Sequence, residues 1–171
     1  HTRFKCDWSS DVCSSDLRTS VYLLALGSAT QESSGFFEVN WTANTNGMYL
    51  TQLFHNVDQA NPVGAMLTTT LTSASVMLGS SDLALSIIGA SNAAAPLVAG
   101  SNQTQINSET FGSTEGIVSV KTDDGGSNSF TYEDLGGGVS YAHVALSLQY
   151  SGNVNPSAPR ISSIQIGRAH V

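Results

Sequence analysis

Positively charged residues are scarce in this sequence. Lysine and arginine total 6 against 13 aspartates and glutamates, which gives a formal net charge of −7 at pH 7. Nucleic-acid binding depends on basic side chains that neutralise phosphates, so we expect no nucleic acid among the partners. Long apolar runs are missing as well. No segment approaches the roughly 20 apolar residues of a membrane-spanning helix, and we expect no membrane insertion.

Cysteine is nearly absent, and both cysteines, Cys6 and Cys13, precede residue 18. The two ends of the chain resemble conceptual translations of an indexed sequencing adapter, on the strings DWSSDVCSSDL (7–17) and IGRAHV (166–171). We therefore expect residues 1–17 and 165–171 to be non-native, adapter-derived tails. Such tails carry no information about a fold, so the cysteines predict neither a disulfide nor a metal site.

The remaining residues suggest one domain followed by a linker. Serine, threonine, asparagine, glycine and alanine are abundant and charged residues are only 11% of the chain, a composition typical of secreted bacterial β-proteins. Residues 18–150 fit a single domain. Residues 151–159 are rich in proline, glycine and asparagine and predict a linker. Residues 160–164 are expected to begin a following segment.

Short runs of alternating apolar and polar residues recur along the chain. Clusters of glycine, asparagine, aspartate and serine separate them, and this period-2 pattern predicts strands. The clearest runs are 36–41, 47–55, 82–88 and 142–150; weaker runs are 20–26, 65–71, 75–78, 104–110, 116–122 and 128–133. No window has the period of a capped helix. We therefore predict an all-β fold, an antiparallel two-sheet sandwich of jelly-roll-like form.

One turn predicts a specific pairing of strands. The segment Asp123–Gly126 reads DDGG, and Asp-Gly is a strong signal for a tight hairpin. We therefore expect a hairpin between the strands around Val118 and Phe130.

The segment Phe54–Pro62 reads FHNVDQANP and resembles the F-x-[GN]-V-D-Q-x-x-P signature of β-sandwich modules in large secreted bacterial proteins. The strand led by Asp82 and the turn Gly100–Gln103 resemble further parts of such modules, and the likeness spans residues 20–150. Asn56 stands where glycine is usual. The resemblance implies a non-catalytic, extracellular, repeat-associated domain that lacks the first strands of the module.

Three aspartates are candidate calcium ligands: Asp58, Asp123 and Asp124. Calcium is a hard cation that takes six to eight oxygen ligands, and Asp58 stands beside Gln59 and Asn61. Turn chemistry offers a competing explanation. An Asx hydrogen bond can cap the turn at Asp58, and Asp-Gly suits a hairpin tip. We favour the turn explanation and expect no cofactor, with calcium as the alternative.

Two tyrosines are candidates for a carbohydrate platform. Tyr49 and Tyr141 fall on the polar faces of their predicted strands, and exposed rings in such positions stack on sugars in carbohydrate-binding modules. The competing explanation is that tyrosine simply suits a half-buried strand face. His55 and His143 also fall on polar faces and are expected to be surface histidines. No G-x-S-x-G nucleophile elbow occurs, and we predict no catalytic residues and no enzymatic activity.

These observations lead to one main hypothesis and two alternatives. The main hypothesis is a non-catalytic structural, spacer or adhesion module of a large secreted or surface-attached bacterial protein, located outside the cell or at its surface. Its expected partners are neighbouring domains of the same chain, glycans, or cell-surface and matrix components. The alternatives are a carbohydrate-binding module and a phage or capsid-type jelly-roll domain.

Overall fold

The chain folds entirely into strands and turns over the part that is described. A computed structural model describes residues 17, 19, 21, 47–58, 60–122, 126–152 and 160–169. Within these ranges there is no helix, so the all-β prediction is confirmed. The strands are β1 (Gly47–His55), β2 (Val63–Thr69), β3 (Ser73–Leu78), β4 (Leu83–Ser91), β5 (Thr104–Phe111), β6 (Thr114–Thr122), β7 (Gly126–Thr131), β8 (Ser140–Leu148) and β9 (Arg160–Ala169). The strands predicted at 20–26, apart from Val21, and at 36–41 lie outside the described residues.

Two antiparallel sheets form the sandwich. The main sheet has the strand order β2-β8-β4-β6-β5, and the small sheet pairs β3 with β7. The pairs β2–β8, β3–β7 and β4–β6 are nested one inside the other along the chain. A long hairpin rolled into two layers produces this nesting, which is the jelly-roll arrangement. β1 and β9 form a separate two-stranded antiparallel sheet.

The prediction of a hairpin at Asp123–Gly126 is wrong. β6 pairs with β4 and β5, whereas β7 pairs with β3. The connection therefore carries the chain from the main sheet to the small one. Turn residues determine how tightly a chain reverses, but the partner of each strand depends on which apolar faces meet.

The main sheet is buried on both faces. Its inner face packs against the small sheet in a cluster that includes Phe130, Ile88 and Ile117, each 0% exposed. Its outer face carries a second, aliphatic cluster: Val57, Leu83, Leu85, Val118, Val120, Val144, Leu146 and Leu148. Burying one such large apolar side chain contributes about 1.5–3 kcal/mol. These two clusters are therefore the main source of stability.

Residues near the first predicted boundary contact the main sheet. The Thr19 hydroxyl donates to the Ala142 carbonyl oxygen at 3.0 Å, and Val21 packs against the outer cluster. A Cβ added at Gly89 would lie 3.8 Å from Cδ1 of Leu17. At the other end, β9 runs across the predicted boundary between residues 160–164 and 165–171, pairing Ile166 with Leu50.

Both edge strands of the main sheet are bulged. The register of β2 shifts between Val63 and Met66, and that of β5 shifts between Gln105 and Asn107. Bulges interrupt the row of free backbone groups that an edge strand presents to other strands. Within the described residues, the ladder that a further strand could extend is therefore interrupted at 63–66 in β2 and at 105–107 in β5.

Candidate functional site

A polar network lies inside the sandwich, between the two sheets. Ser86 on β4 contacts Nε2 of His143 on β8 at 2.8 Å and the Tyr132 hydroxyl at 2.9 Å. Nδ1 of His143 lies 3.1 Å from the Leu71 carbonyl oxygen. Ser119 and Gln103 extend the network at the Tyr132 hydroxyl. We call this set the Ser86 network: Leu71, Ser86, Gln103, Ser119, Tyr132 and His143.

The acceptors of the network determine where its hydrogens lie. A carbonyl oxygen only accepts, so Nδ1 of His143 carries the proton and donates to Leu71. In the neutral ring Nε2 then accepts, and the Ser86 hydroxyl donates to it. Since the one hydrogen of Ser86 is used there, its oxygen accepts from the Tyr132 hydroxyl. The hydroxyl hydrogens of Tyr132 and Ser86 therefore point towards Nε2 of His143, while Nδ1 donates outward to Leu71.

Burial sets the electrostatics of this network. Ser86 is 0% exposed and His143 is 1% exposed. Burial lowers the pKa of His143 below its ordinary value of 6.5, while the Leu71 carbonyl acts in the opposite direction. Burial raises the pKa of Tyr132, and its hydrogen bonds to Ser119, Ser86 and Gln103 oppose that shift. The network is thus neutral at pH 7.

The Ser86–His143 contact has the geometry of a nucleophile and its general base. A serine oxygen within hydrogen-bond distance of Nε2, with the opposite ring nitrogen oriented by a second group, is the arrangement of hydrolytic triads. Here Leu71 contributes a neutral carbonyl where those triads have a carboxylate. The serine oxygen is enclosed by both sheets and bonded to Tyr132. Its hydrogen bonds join β4, β8 and the residue after β7.

The expectation that His143 is a surface histidine is wrong. The alternating sequence of β8 predicts one apolar face and one solvated face. In the structure β8 is buried on both faces from Tyr141 to Leu148. For the same reason the sequence pattern does not identify Ser86 and Tyr132 as buried polar residues. A recognisable signal was available: small or hydroxyl-bearing residues alternate with large aliphatic ones in β4, β6 and β8, which suits a face packed closely against a second sheet.

Asp58 caps its own turn. Its Oδ1 accepts from the amides of Ala60 at 2.8 Å and Asn61 at 3.2 Å, which is the Asx arrangement. Asn56 just before it has a φ of 60°, a conformation that glycine and asparagine adopt most readily. An asparagine at position 56 is therefore compatible with the backbone conformation found there.

The other two calcium candidates, Asp123 and Asp124, lie outside the described residues. Among the residues that are described, no three histidine, cysteine, aspartate or glutamate side chains are grouped closely enough to hold a metal ion. Asp58 therefore belongs to no such group within the described residues.

The two tyrosine candidates occupy different situations. Tyr141 is 9% exposed and belongs to the inner cluster, so the expectation that it is an exposed platform is wrong. Its hydroxyl donates to Asp134 at 3.1 Å and accepts from the Leu135 amide at 2.8 Å. Burial and the Asp134 carboxylate raise the pKa of Tyr141, against the effect of the Leu135 bond. Tyr49 lies opposite Gly167 in β1, and its side chain lies outside the described part.

Two of the segments that resemble the β-sandwich module, the strand led by Asp82 and the turn Gly100–Gln103, bind backbone groups of the fold. The Asp82 carboxylate accepts from the Gly79 amide at 2.9 Å and the Tyr150 amide at 3.0 Å. Oε1 of Gln103 accepts from the Thr131 amide at 3.0 Å. A Cβ on Gly100 would overlap the Thr131 hydroxyl. The glycine–x–x–glutamine turn thus holds the end of β7.

Over the described ranges, no helix has the length and hydropathy needed to cross a membrane. Comparison of the chain with protein-family models, with curated proteins and with solved structures finds no match.

Proposed function

We propose that the chain is a non-catalytic structural module, a spacer or adhesion domain of a large secreted or surface-attached bacterial protein. One observation carries this proposal. The polar residues of the module-like segments, Asp58, Asp82 and Gln103, all bind backbone amides of their own fold. Their chemistry is used to connect turns and strands, which is what a module selected for stability requires.

The enclosed Ser86 network supports the same proposal. Its serine bonds to Tyr132 at the end of the small sheet and its histidine to the β2–β3 connection, and both are buried. The bulged edges of β2 and β5 also suit a domain that stays separate from its neighbours at high local concentration.

Arrays of glycans and of matrix proteins, probed with the 171-residue chain at millimolar calcium, test this proposal. A spacer should bind neither, and an adhesion domain should bind a matrix protein. Saturable glycan binding that is lost in Tyr49→Ala but kept in the conservative variant Tyr49→Phe would instead establish the carbohydrate-binding alternative. The jelly-roll architecture is also found in lectin and capsid domains, and a fold by itself does not decide between them.

We also propose that residues 1–17 and 165–171 derive from adapter sequence. The match of both strings to one adapter, in the expected order, supports this. Resequencing the source DNA across both junctions, from a library prepared without this adapter, tests the proposal. Reads in which the codons for residues 7–17 continue directly into the codons for residue 18 onwards would contradict it.

A further inference from the structure

His143 lies where three parts of the sandwich meet. It projects from the inner face of β8, and its two ring nitrogens reach β4 through Ser86 and the β2–β3 connection through Leu71. The Tyr132 ring, at the end of the small sheet, stands edge-on to it with centroids 5.4 Å apart and an interplanar angle of 80°. One side chain therefore joins the main sheet, the small sheet and their connection.

An added proton would reverse the hydrogen bonds of this network. With both ring nitrogens protonated, Nε2 must donate to Ser86. The Ser86 hydroxyl would then turn towards Tyr132, and the Tyr132 hydroxyl towards Ser119. The Ser86 and Tyr132 hydroxyls both reverse, while Nδ1 still donates to Leu71, and a cation is placed between two packed sheets. Burying a charge without an ionic partner is costly.

The titratable groups that face the space between the sheets have other partners. From β6, Glu115 accepts from the Leu97 amide and Lys121 donates to the Ser129 carbonyl. From β8 itself, Tyr141 donates to Asp134. From the end of β7 there is Tyr132, which bonds to Ser86.

Of the described strands, β2, β3 and β4 offer His143 no charge. Among the described residues, the inner faces of β2, β3 and β4 carry no titratable side chain. No carboxylate of the described part forms a hydrogen bond with His143 that would stabilise an imidazolium ion there.

We propose that His143 is an acid-sensitive latch, whose protonation releases the small sheet from the main sheet. The sandwich then opens locally at the β3–β7 layer, while the β4–β6–β8 ladder stays paired. The module so becomes looser in an acidified environment and tight at neutral pH.

The direction of the pH effect follows from linkage. The pKa of His143 is lowered in the closed sandwich, and in the opened state it returns towards 6.5. Above pH 6.5 both states are neutral and closure is unaffected. Below it the opened state binds a proton that the closed state resists, so closure weakens as pH falls until the lowered pKa is reached.

Hydrogen exchange of the 171-residue chain from pH 7.5 to pH 5 tests the latch. Protection factors of β3 and β7 amides should fall, by up to about tenfold per pH unit for one proton. Those of the β4–β6 ladder should fall less. Equal losses in both sheets would mean global unfolding and would overturn the proposal.

Two variants and one spectroscopic measurement separate His143 from other groups. H143Q should remove the pH-dependent component, whereas H55Q, which alters the histidine of β1, should retain it. NMR titration of the wild-type ring needs no variant and should show His143 neutral well below pH 6.5. A ring that titrates at or above 6.5, or an unchanged pH dependence in a folded H143Q, would refute the latch.

Discussion

At the scale of single residues, polar side chains complete the backbone hydrogen bonding where the strands end. Asp82 is 8% exposed and accepts from two amides that come from separate parts of the chain, Gly79 before it and Tyr150 after β8. An amide left unpaired in the interior costs about 1–3 kcal/mol. One carboxylate thus joins the β3–β4 turn to the end of β8.

Replacing Asp82 should therefore be more damaging than replacing the half-buried Asp58, whose partner residues Ala60 and Asn61 are exposed. Asp82→Ala leaves two amides without acceptors and should lower the free energy of unfolding by about 2–3 kcal/mol. Asp82→Asn keeps one acceptor and should lose less. In Asp58→Ala, water reaches the exposed amides of Ala60 and Asn61, so the loss should stay below about 1 kcal/mol. Urea denaturation measures all three, and equal losses in the two alanine variants would contradict this account.

At the scale of elements, the bulge in β2 depends on its own Gly64 and on Ser147 of the adjacent strand β8. The Ala65 amide donates to Oγ of Ser147 at 2.7 Å. A Cβ on Gly64 would lie 2.6 Å from the same oxygen. The Ser147 hydroxyl therefore accepts from the Ala65 amide, which the bulge has taken out of the ladder. Only a glycine at position 64 leaves room for that hydroxyl.

Gly64→Ala should displace Ser147 and destabilise the protein by about 1–3 kcal/mol. Gly137→Ala is the matched control: a Cβ there meets nothing within 4 Å, and the change should be neutral or slightly stabilising. In a Ser147→Ala background the Gly64→Ala cost should shrink, giving a coupling of about 0.5–3 kcal/mol in a double-mutant cycle. Additive costs, read from thermal or urea unfolding, would show that the two residues do not interact.

At the scale of the whole molecule, the main sheet shares its two faces between two clusters. Phe130 of the small sheet is fully buried on the inner face, while Leu85 and its neighbours fill the outer face. Because β4, β6 and β8 contribute to both clusters, loss of packing on one side weakens strands that serve the other.

Phe130→Ala should accordingly destabilise the entire sandwich, by about 3–5 kcal/mol, while unfolding remains a single transition at neutral pH. Met77→Ala, on the opposite face of the same small sheet and 61% exposed, should change stability by no more than about 0.5 kcal/mol. Far-ultraviolet circular dichroism and tyrosine fluorescence, followed through the same denaturant series, should coincide for both variants. Separate transitions in Phe130→Ala would mean that the sheets unfold independently at neutral pH.

The sequence predicted strands well where one face meets solvent and less well where neither does. In β3 the buried residues Ala74, Val76 and Leu78 alternate with exposed ones, as the period-2 pattern requires. In β8 the same pattern concealed His143, because serine, alanine and histidine are compatible with either a wet surface or a closely packed polar interior. The partner of each strand was equally hidden, since pairing between β2 and β8 depends on residues far apart in sequence.

The nested pairing also has a consequence for biosynthesis. β8 lies between β2 and β4 in the main sheet and is hydrogen-bonded to both, with Val63 and Leu83 both opposite Leu148. A ribosome that has released β2 through β7 has therefore supplied both flanks of β8, namely β2 and the β4–β6–β5 ladder, without the strand that joins them. Pairing over such separations is slow compared with local contacts, and the exposed flanks attract chaperones or other nascent chains. Folding of this sandwich waits for Leu148 to leave the exit tunnel, so translational pausing upstream of β8 should be harmful and pausing downstream of it helpful.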